Sequence, residues 1–514
     1  MADISERKHP EYEELIDHWN FLESTYDGGR DWFDSNIFKY FKEGTNEYSD
    51  RIGRAYRFNH TREVVDIVTK YLFKSHIVRN EEDASQEVID FWRRPSRVQP
   101  PGGMDQFMRN VATRASIFGR IYIVIDSTFV GSAASKAEEK LSGGQVYAYA
   151  VPPQRAKDMA FDEFGQLRWI IIEEDWRDDE DPIESTGEIY TRYRLWTKED
   201  WVLYGQEEGG KGGFQQIDSG THNLGMVPVI PFDHIVADES QYSSPSMVGD
   251  VAYLDRANAN YLSNLDAIIQ DQTFSQLVIP AQSLPVTTEG KIEEQHQTLI
   301  ELGTKRIFTY DAAEGARPPE YISPDVKQAQ LIVTVVKQII NEIYHSVGVA
   351  GERTKQDNAM GIDNSSGVAK AYDFERVNSL LTSKGASLEA LENRIVEIVE
   401  RYSGKDDFES DLVVYPDNFD TRGLKDEFEI AMNLSMIGAP DDMRRYQMES
   451  LVDKLFPHLK KSLKEELKRN LENWPEDSIQ VSGGFGASLE SEDRQGQVTE
   501  ETNLDKAEED GTNS

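Results

Sequence analysis

Apolar residues in the first part of the chain recur every three or four positions, the spacing of helices with one buried face. In NHTREVVDIVTKYLF (Asn59–Phe73), Val64, Ile67, Val68, Tyr71 and Leu72 share a face, and Asn59 or Thr61 stands where a cap is needed. The stretch RPSRVQPPGG then punctuates the helical pattern. From about Ile117 to Asp233 the pattern shortens to that of strands. IYIVIDS (Ile121–Ser127), QVYAYAVPP (Gln145–Pro153), LRWIIIEE (Leu167–Glu174), IYTRYRLW (Ile189–Trp196) and WVLYG (Trp201–Gly205) are β-branched or aromatic runs between polar turns. They predict a mixed or antiparallel β region. VPVIPFD (Val227–Asp233) closes it, and its two prolines suit an edge strand or an extended exit.

Helical spacing returns after Ser244-Pro245, which reads as an N-cap followed by proline at the first helical position. Met247, Val251, Leu254, Tyr261, Leu265 and Ile268 follow at mostly heptad-like spacing, over a helix of about 40 Å. SQLVIPA and KRIFTYD are strand candidates in a small insert. A second long helix starts near Pro324, with Val326, Ala329, Val333, Val336, Ile340, Ile343 and Val347 repeating in alternating steps of three and four. It runs into GVAGERTKQDNAMGIDNSSGV, some twenty residues of small and polar character. Connections of that length inside a domain are commonly functional or disordered. A third helix follows from about Ser366 to Tyr402, with Leu388, Leu391, Ile395, Ile398 and Tyr402 on one face and Gly385 as a kink or close-packing point. DLVVYPDNF (Asp411–Phe419) reads as a strand and is followed by shorter helices to about Asn473. From Pro475 onward acids outnumber bases by nine and apolar residues are sparse, the composition of a disordered acidic tail.

The 514 residues carry a formal charge of −38, which disfavours ordinary duplex-DNA or anionic-membrane binding. At 38% hydrophobic residues, folded cores are expected. The chain has no cysteine, so disulfides and thiolate metal sites are excluded. The N-terminal residues lack the apolar core of a signal peptide, and no run of about 18 apolar residues predicts a membrane span. Together these features imply an intracellular protein of several domains.

Catalytic motifs do not survive inspection. GQEEGGKG (Gly205–Gly212) begins like a phosphate-binding loop, but Gly212 replaces the hydroxyl residue that would hold Mg²⁺, which leaves a hairpin loop. DWRDDEDPIES (Asp175–Ser185) lacks the spacing of a Ca²⁺ loop and reads as a solvated turn. The nine histidines show no metal-binding spacing, and His345 near a helix end reads as structural. No metal, no cofactor and no enzymatic activity are expected.

The order of these elements resembles the portal (head–tail connector) proteins of tailed bacteriophages. The likeness covers about residues 50–475 and is carried by NHTREVVDIVTKYLF, SIFGRIYIVIDS, NLGMVPVIPF and SSGVAKAYDFERVN, in that order and spacing. It implies an α+β fold of portal-like architecture, with a mixed or antiparallel β wing, long stem helices, a small α/β clip and a helical crown. A helical arm would span 1–49, the wing 50–243, the first stem helix 244–273 and the clip 274–324. The second stem helix would be 325–347, the tunnel loop 348–365, the long connecting helix 366–403, the crown 404–475 and the acidic tail 476–514. Leu254, Tyr261, Leu265, Val333, Val336, Ile340 and Ile343 would pack the stem.

The resemblance further implies a homododecameric ring at one capsid vertex of the virion, assembled in the host cytoplasm. Double-stranded DNA would pass through it without sequence specificity, in packaging and in ejection. The partners implied are the terminase large subunit, the major capsid and scaffolding proteins and a head-completion or adaptor protein, with no membrane. Arg353, Lys355, Gln356, Asn358, Asn364 and Ser365 of the loop would touch phosphates in passing, with Gly348, Gly351, Gly361 and Gly367 as hinges. Apart from the resemblance, the residues leave two other readings open: a hydrolase with a carboxylate site in the β region, and a capsid scaffold or adaptor that never meets DNA.

Overall fold

The computed structural model describes residues 3–97, 103–128, 144–179, 181–206, 213–235, 242–273, 276–280, 307–310, 320–322, 327–348, 367–405, 411–416, 419, 432–434, 436–437, 440–456 and 461–472. The fold is α+β. Residues 1–420 form one unit and 421–514 a second.

The first unit opens with helices α1 (Pro10–Asp27), α2 (Asp31–Asn36), α3 (Thr45–Arg54) and α4 (His60–Leu72). After a two-residue strand β1 (Val78–Arg79) come α5 (Gln86–Arg93) and α6 (Gly103–Phe118). Local chemistry sets their starts. Asn59 caps α4 by accepting from the Arg62 amide, and Ser85 caps α5 by accepting from Val88. On α4 Val64, Val65, Val68 and Leu72 are buried, while Ile67 and Tyr71 are half-buried at the margin of the same face.

Strand β2 (Arg120–Ser127) lies between β3 (Val146–Val151) and the edge strand β9 (Val229–Asp233), antiparallel to both. Both faces of β2 are covered, so Ile121 to Ile125 are all buried and the strand reads as a continuous apolar run. Each such side chain contributes about 2 kcal/mol by leaving water. A five-stranded antiparallel meander follows: β4 (Ala156–Phe161), β5 (Leu167–Arg177), β6 (Ile189–Trp196), β7 (Asp200–Gly205) and β8 (Gln215–Thr221). The sequence pattern did not reveal β4 or β8. Both are edge strands, held by ladder bonds to one neighbour. Every residue of β8 is exposed or half-exposed, which removes the alternation that marks a strand. The phosphate-loop look-alike joins β7 to β8, whose paired ends are Gly205 and Gln215. The acidic stretch joins β5 to β6, where Asp178 accepts from the Thr186 amide and Asp181 from Ile183 and Glu184.

Helix α7 runs from Gly249 to Thr273. It starts later than the Ser244-Pro245 pair suggested. The serine that turns the chain is Ser246, which accepts from the Val248 amide and donates to the Ile117 carbonyl. Beyond α7, β10 (Gln276–Pro280) lies parallel to β11 (Ile307–Tyr310) and antiparallel to β12 (Glu320–Ile322), a small mixed sheet. Helices α8 (Lys327–Ser346) and α9 (Gly367–Tyr402) complete the long helices, and α9 is continuous over 36 residues.

The strand expected over 411–419 shrinks to β13 (Val413–Val414), paired with β1. Tyr415 and Phe419 dock on α9. Tyr415 donates from its hydroxyl to Glu392 at 2.8 Å, and the Phe419 amide donates to Asn378 at 2.8 Å. Gly385 of α9 is a close-packing point, since a Cβ there would lie 3.3 Å from the Pro416 carbonyl. Arg79 clamps the same region, meeting Glu392 at 2.6 Å and Asp105 at 2.6 Å.

In the second unit α10 (Asp441–Leu455) packs against α11 (Lys461–Glu472). Among the described hydrophobic residues of this pair, Leu451 is the buried one.

Gly119 joins α6 to β2 at φ +88°, and a Cβ there would lie 2.0 Å from the Ser244 carbonyl. Backbone cannot yield as a side-chain tip does. Gly119→Ala is expected to cost about 3 kcal/mol or more, read as a large drop in thermal unfolding temperature.

Candidate functional site

The long polar segment of the sequence leaves the end of α8, so the candidate site is the α7–α8 helix pair and the root that fixes it. The two helices pack on each other, and α4 packs on both. The face that α7 buries is not purely apolar. Val251, Ala252, Ala259 and Leu262 share it with Asp255, Asn258 and Ser263.

Asp255 is fully buried. Its Oδ2 accepts from the Thr61 amide at 3.2 Å, from the Thr61 hydroxyl at 2.9 Å and from Arg57 at 3.3 Å. The Arg57 guanidinium also donates to the Thr25 carbonyl and lies 3.9 Å from the centre of the Trp32 ring. Burial pushes the Asp255 carboxyl up and the Arg57 guanidinium down, each toward its neutral form, and their mutual attraction opposes both. Two turns on, Arg51 of α3 donates to Ser263 at 2.9 Å and forms a two-pronged pair with Glu43 at 2.7 Å on both arms. The Arg51 bond depresses the Glu43 carboxyl. Arg54 meets Asp266 at 3.2 Å. On α8 the Tyr344 hydroxyl donates to Glu63 and lies 3.2 Å from Nδ1 of His60.

Of the residues expected to pack the stem, Leu265, Val336, Ile340 and Ile343 are buried and Leu254 is half-buried, whereas Tyr261 and Val333 are exposed. Tyr253 and Ile269 of α7 and Leu331 of α8 are exposed as well. Gly348 ends α8 at φ +81°, with its amide donating to the His345 carbonyl at 3.0 Å. His345 itself is exposed. Gly367 is the first residue of α9. Arg353, Lys355, Gln356, Asn358, Asn364, Ser365, Gly351 and Gly361 lie outside the described residues, as does the acidic tail.

Sequence reasoning missed the polar root. The signal available was the gap between Leu254 and Tyr261, where a heptad position is filled by Asn258. It also missed Lys384 of α9, which is 4% exposed. Its Nζ donates to Ser116 at 2.9 Å and to Nδ1 of His234 at 3.1 Å, and Nε2 of His234 donates to the Pro245 carbonyl at 2.9 Å. Burial brings the Lys384 ammonium down to about 7. Burial and the nearby Lys384 bring His234 down to about 3. This cluster ties α9 to α6 and to the exit from β9. Among the described residues no group of three or more metal-binding side chains converges, and no helix is long and apolar enough to cross a membrane.

No protein-family model matches the chain, and no curated protein matches it. Solved structures do. A chain of the virion of a native gene transfer agent particle is 12% identical at a TM-score of 0.36, covering 82% of this chain and 89% of that one. A chain from the neck of the native particle, computed with C12 symmetry, is 12% identical at 0.36, covering 80% and 89%. One from the neck of the empty particle, computed with C6 symmetry, is 11% identical at 0.34, covering 74% and 90%. At these TM-scores the likeness is too loose to carry a role across.

Two measurements follow from the buried charges. Asp255→Ala leaves Arg57 buried without its carboxylate and is expected to cost about 3–5 kcal/mol in chemical denaturation. Asp255→Asn, which keeps an acceptor for Thr61, is expected to cost less. For Lys384 the proton is held up to the ordinary 10.5 in the unfolded chain but only to about 7 in the fold. Between those values the unfolded chain binds the extra proton, so stability rises with pH through this window. Below about 7 the full cost of the buried ammonium is present. Lys384→Met is expected to flatten the rise in unfolding temperature between pH 7 and 10.

Proposed function

We propose that this chain is a portal-like protein. Copies would close into a ring at one vertex of a phage-like capsid, the passage through which the genome is packaged and released. The observation that carries the reading is the state of α7 and α8. α7 is rooted in the body by the buried Arg57–Asp255 pair and α8 by the Tyr344–Glu63 hydrogen bond, yet Tyr253, Tyr261, Ile269, Leu331 and Val333 stay exposed along them in the single chain. In this reading those apolar residues face a neighbouring copy, which would take them out of water. A ring requires a heterologous contact that closes. The sequence resemblance to portal proteins adds the order of parts, with β wing, helix, small mixed sheet, helix, polar loop and long helix following one another.

In this reading the polar loop of 348–365 reaches into the axial channel. The strongly acidic chain keeps DNA from adhering, because few cations are available to displace its counterions. Arg353 and Lys355 make brief phosphate contacts. The protein does no chemistry. ATP hydrolysis belongs to a terminase motor docked on the small mixed sheet, later replaced by head-completion or adaptor proteins, while the wing meets the capsid shell and scaffolding protein.

Sedimentation and negative-stain images of the purified protein test the reading. Rings of about a dozen copies with a central hole are expected, and a monomer at all concentrations, with and without scaffold, would sink it. Removing Lys355–Met360 is expected to leave ring assembly intact while lowering packaged or retained DNA. Normal packaging by that variant would remove the role given to the loop.

A further inference from the structure

The connection between α2 and α3 reads Ile37-Phe38-Lys39-Tyr40-Phe41-Lys42-Glu43; Ile37 is buried, and the aromatic side chains that follow it are turned outward. Phe38 is 59% exposed, Tyr40 54% and Phe41 81%. The backbone beneath them is held with unusual thoroughness. Arg51, itself buried, donates to the Phe38 carbonyl at 2.8 Å and grips Glu43 through both oxygens. Glu43 in turn accepts from the Tyr40 amide at 3.1 Å. The Phe38 amide donates to Asn260 of α7 at 2.9 Å, and the Tyr48 hydroxyl donates to the Ile37 carbonyl at 2.7 Å. Lys39 and Lys42 make no ion pair among the described residues. Lys39 donates to the Thr45 hydroxyl at 3.2 Å, and Lys42 lies 5.4 Å from the centre of the Phe41 ring. Burying an arginine is costly. Here it fixes the backbone that carries three exposed aromatics and two lysines, a pre-organisation that lowers the entropy cost of binding.

We propose that this loop is the donor half of the contact between neighbouring copies of the chain, a proposal that rests on the ring reading above. Two features select a second copy as the occupant. The first is charge. The chain carries −38 overall, so a lysine-bearing aromatic knob is complementary to its own surface. The second is the presence of a distinct acceptor. Tyr56 and Phe58, ring centres 6.3 Å apart, are exposed just beyond the far end of α3. The ten residues of α3 place the two patches about 15 Å apart. Glu63 and Asp66 lie on α4, which starts two residues after Phe58, beside the exposed cations Arg62 and Lys70. A head-to-tail ring needs two different patches on each copy, and these two differ in shape and in composition.

The test uses the full chain with Phe41→Asp, and separately with Phe58→Asp. Both side chains lie on the surface, and unchanged circular dichroism and unfolding temperature confirm folding. Each variant alone is expected to lose rings. Mixed one to one, they are expected to form a two-chain species, because each still carries one intact half of the contact. A Lys39→Glu, Lys42→Glu variant is expected to assemble at least tenfold more weakly than the parent chain at low salt. Normal rings from all three variants, beside normal rings from the parent, would overturn this proposal while leaving the ring reading standing, and would assign the loop to a partner other than this chain. Absence of rings from the parent would overturn the ring reading and the proposal with it.

Discussion

The buried contact of Arg57 with Asp255 is the constraint on which the helical half of the protein depends. A carboxylate on α7 with no solvent access is tolerable only where donors reach it, and here Thr61 at the start of α4 and Arg57 just before it supply them. Arg57 needs the Thr25 carbonyl and the Trp32 ring as well. One pair therefore fixes α7 relative to α1, α2 and α4 at a single axial position. An all-apolar seam would admit sliding by a turn at modest cost, whereas this seam strands two charges if it shifts.

The same device recurs. Arg51 holds the α2–α3 loop and reaches Ser263 of α7, Arg79 holds α9 through Glu392, and Arg120 holds the end of β9 through Asp233 at 2.6 Å. Several of the cations of a very acidic chain are thus spent inside it, as staples between elements distant in sequence. What remains outside is rich in carboxylates. In the function proposed above, that distribution would let a polyanion pass without being retained, since duplex affinity rests on cations offered to phosphates.

A rigid root and exposed flanks also belong together. In the proposed ring, helices that present apolar side chains to a neighbour would have to hold them in one geometry before the neighbour arrives, or the ordering cost would consume the contact. The polar ties of α3, α4 and α7 provide that rigidity, while Tyr253, Tyr261 and Val333 stand outward.

Much of the architecture was legible in the sequence. Helical spacing located α4, α7, α8 and α9, and β-branched or aromatic runs between polar turns located β2, β3, β5, β6 and β7, because in those segments residue type and local pattern agree with the element that forms. The edge strand β8 was not legible, since a strand held from one side by backbone bonds needs no apolar stripe, and β4 was hidden by the charged Lys157 and Asp158 among its apolar residues. Nor were Asp255, Arg51 and Lys384 legible as structural centres. A charged residue within a helical pattern looks solvent-facing until a partner from a distant segment closes over it. Local periodicity thus determined which segments are helices and strands and where the polar loop interrupts them. Only the tertiary structure decided which charges are buried and which aromatics are left outside, because that depends on contacts between residues as far apart as Arg51 and Ser263 or Ser116 and Lys384.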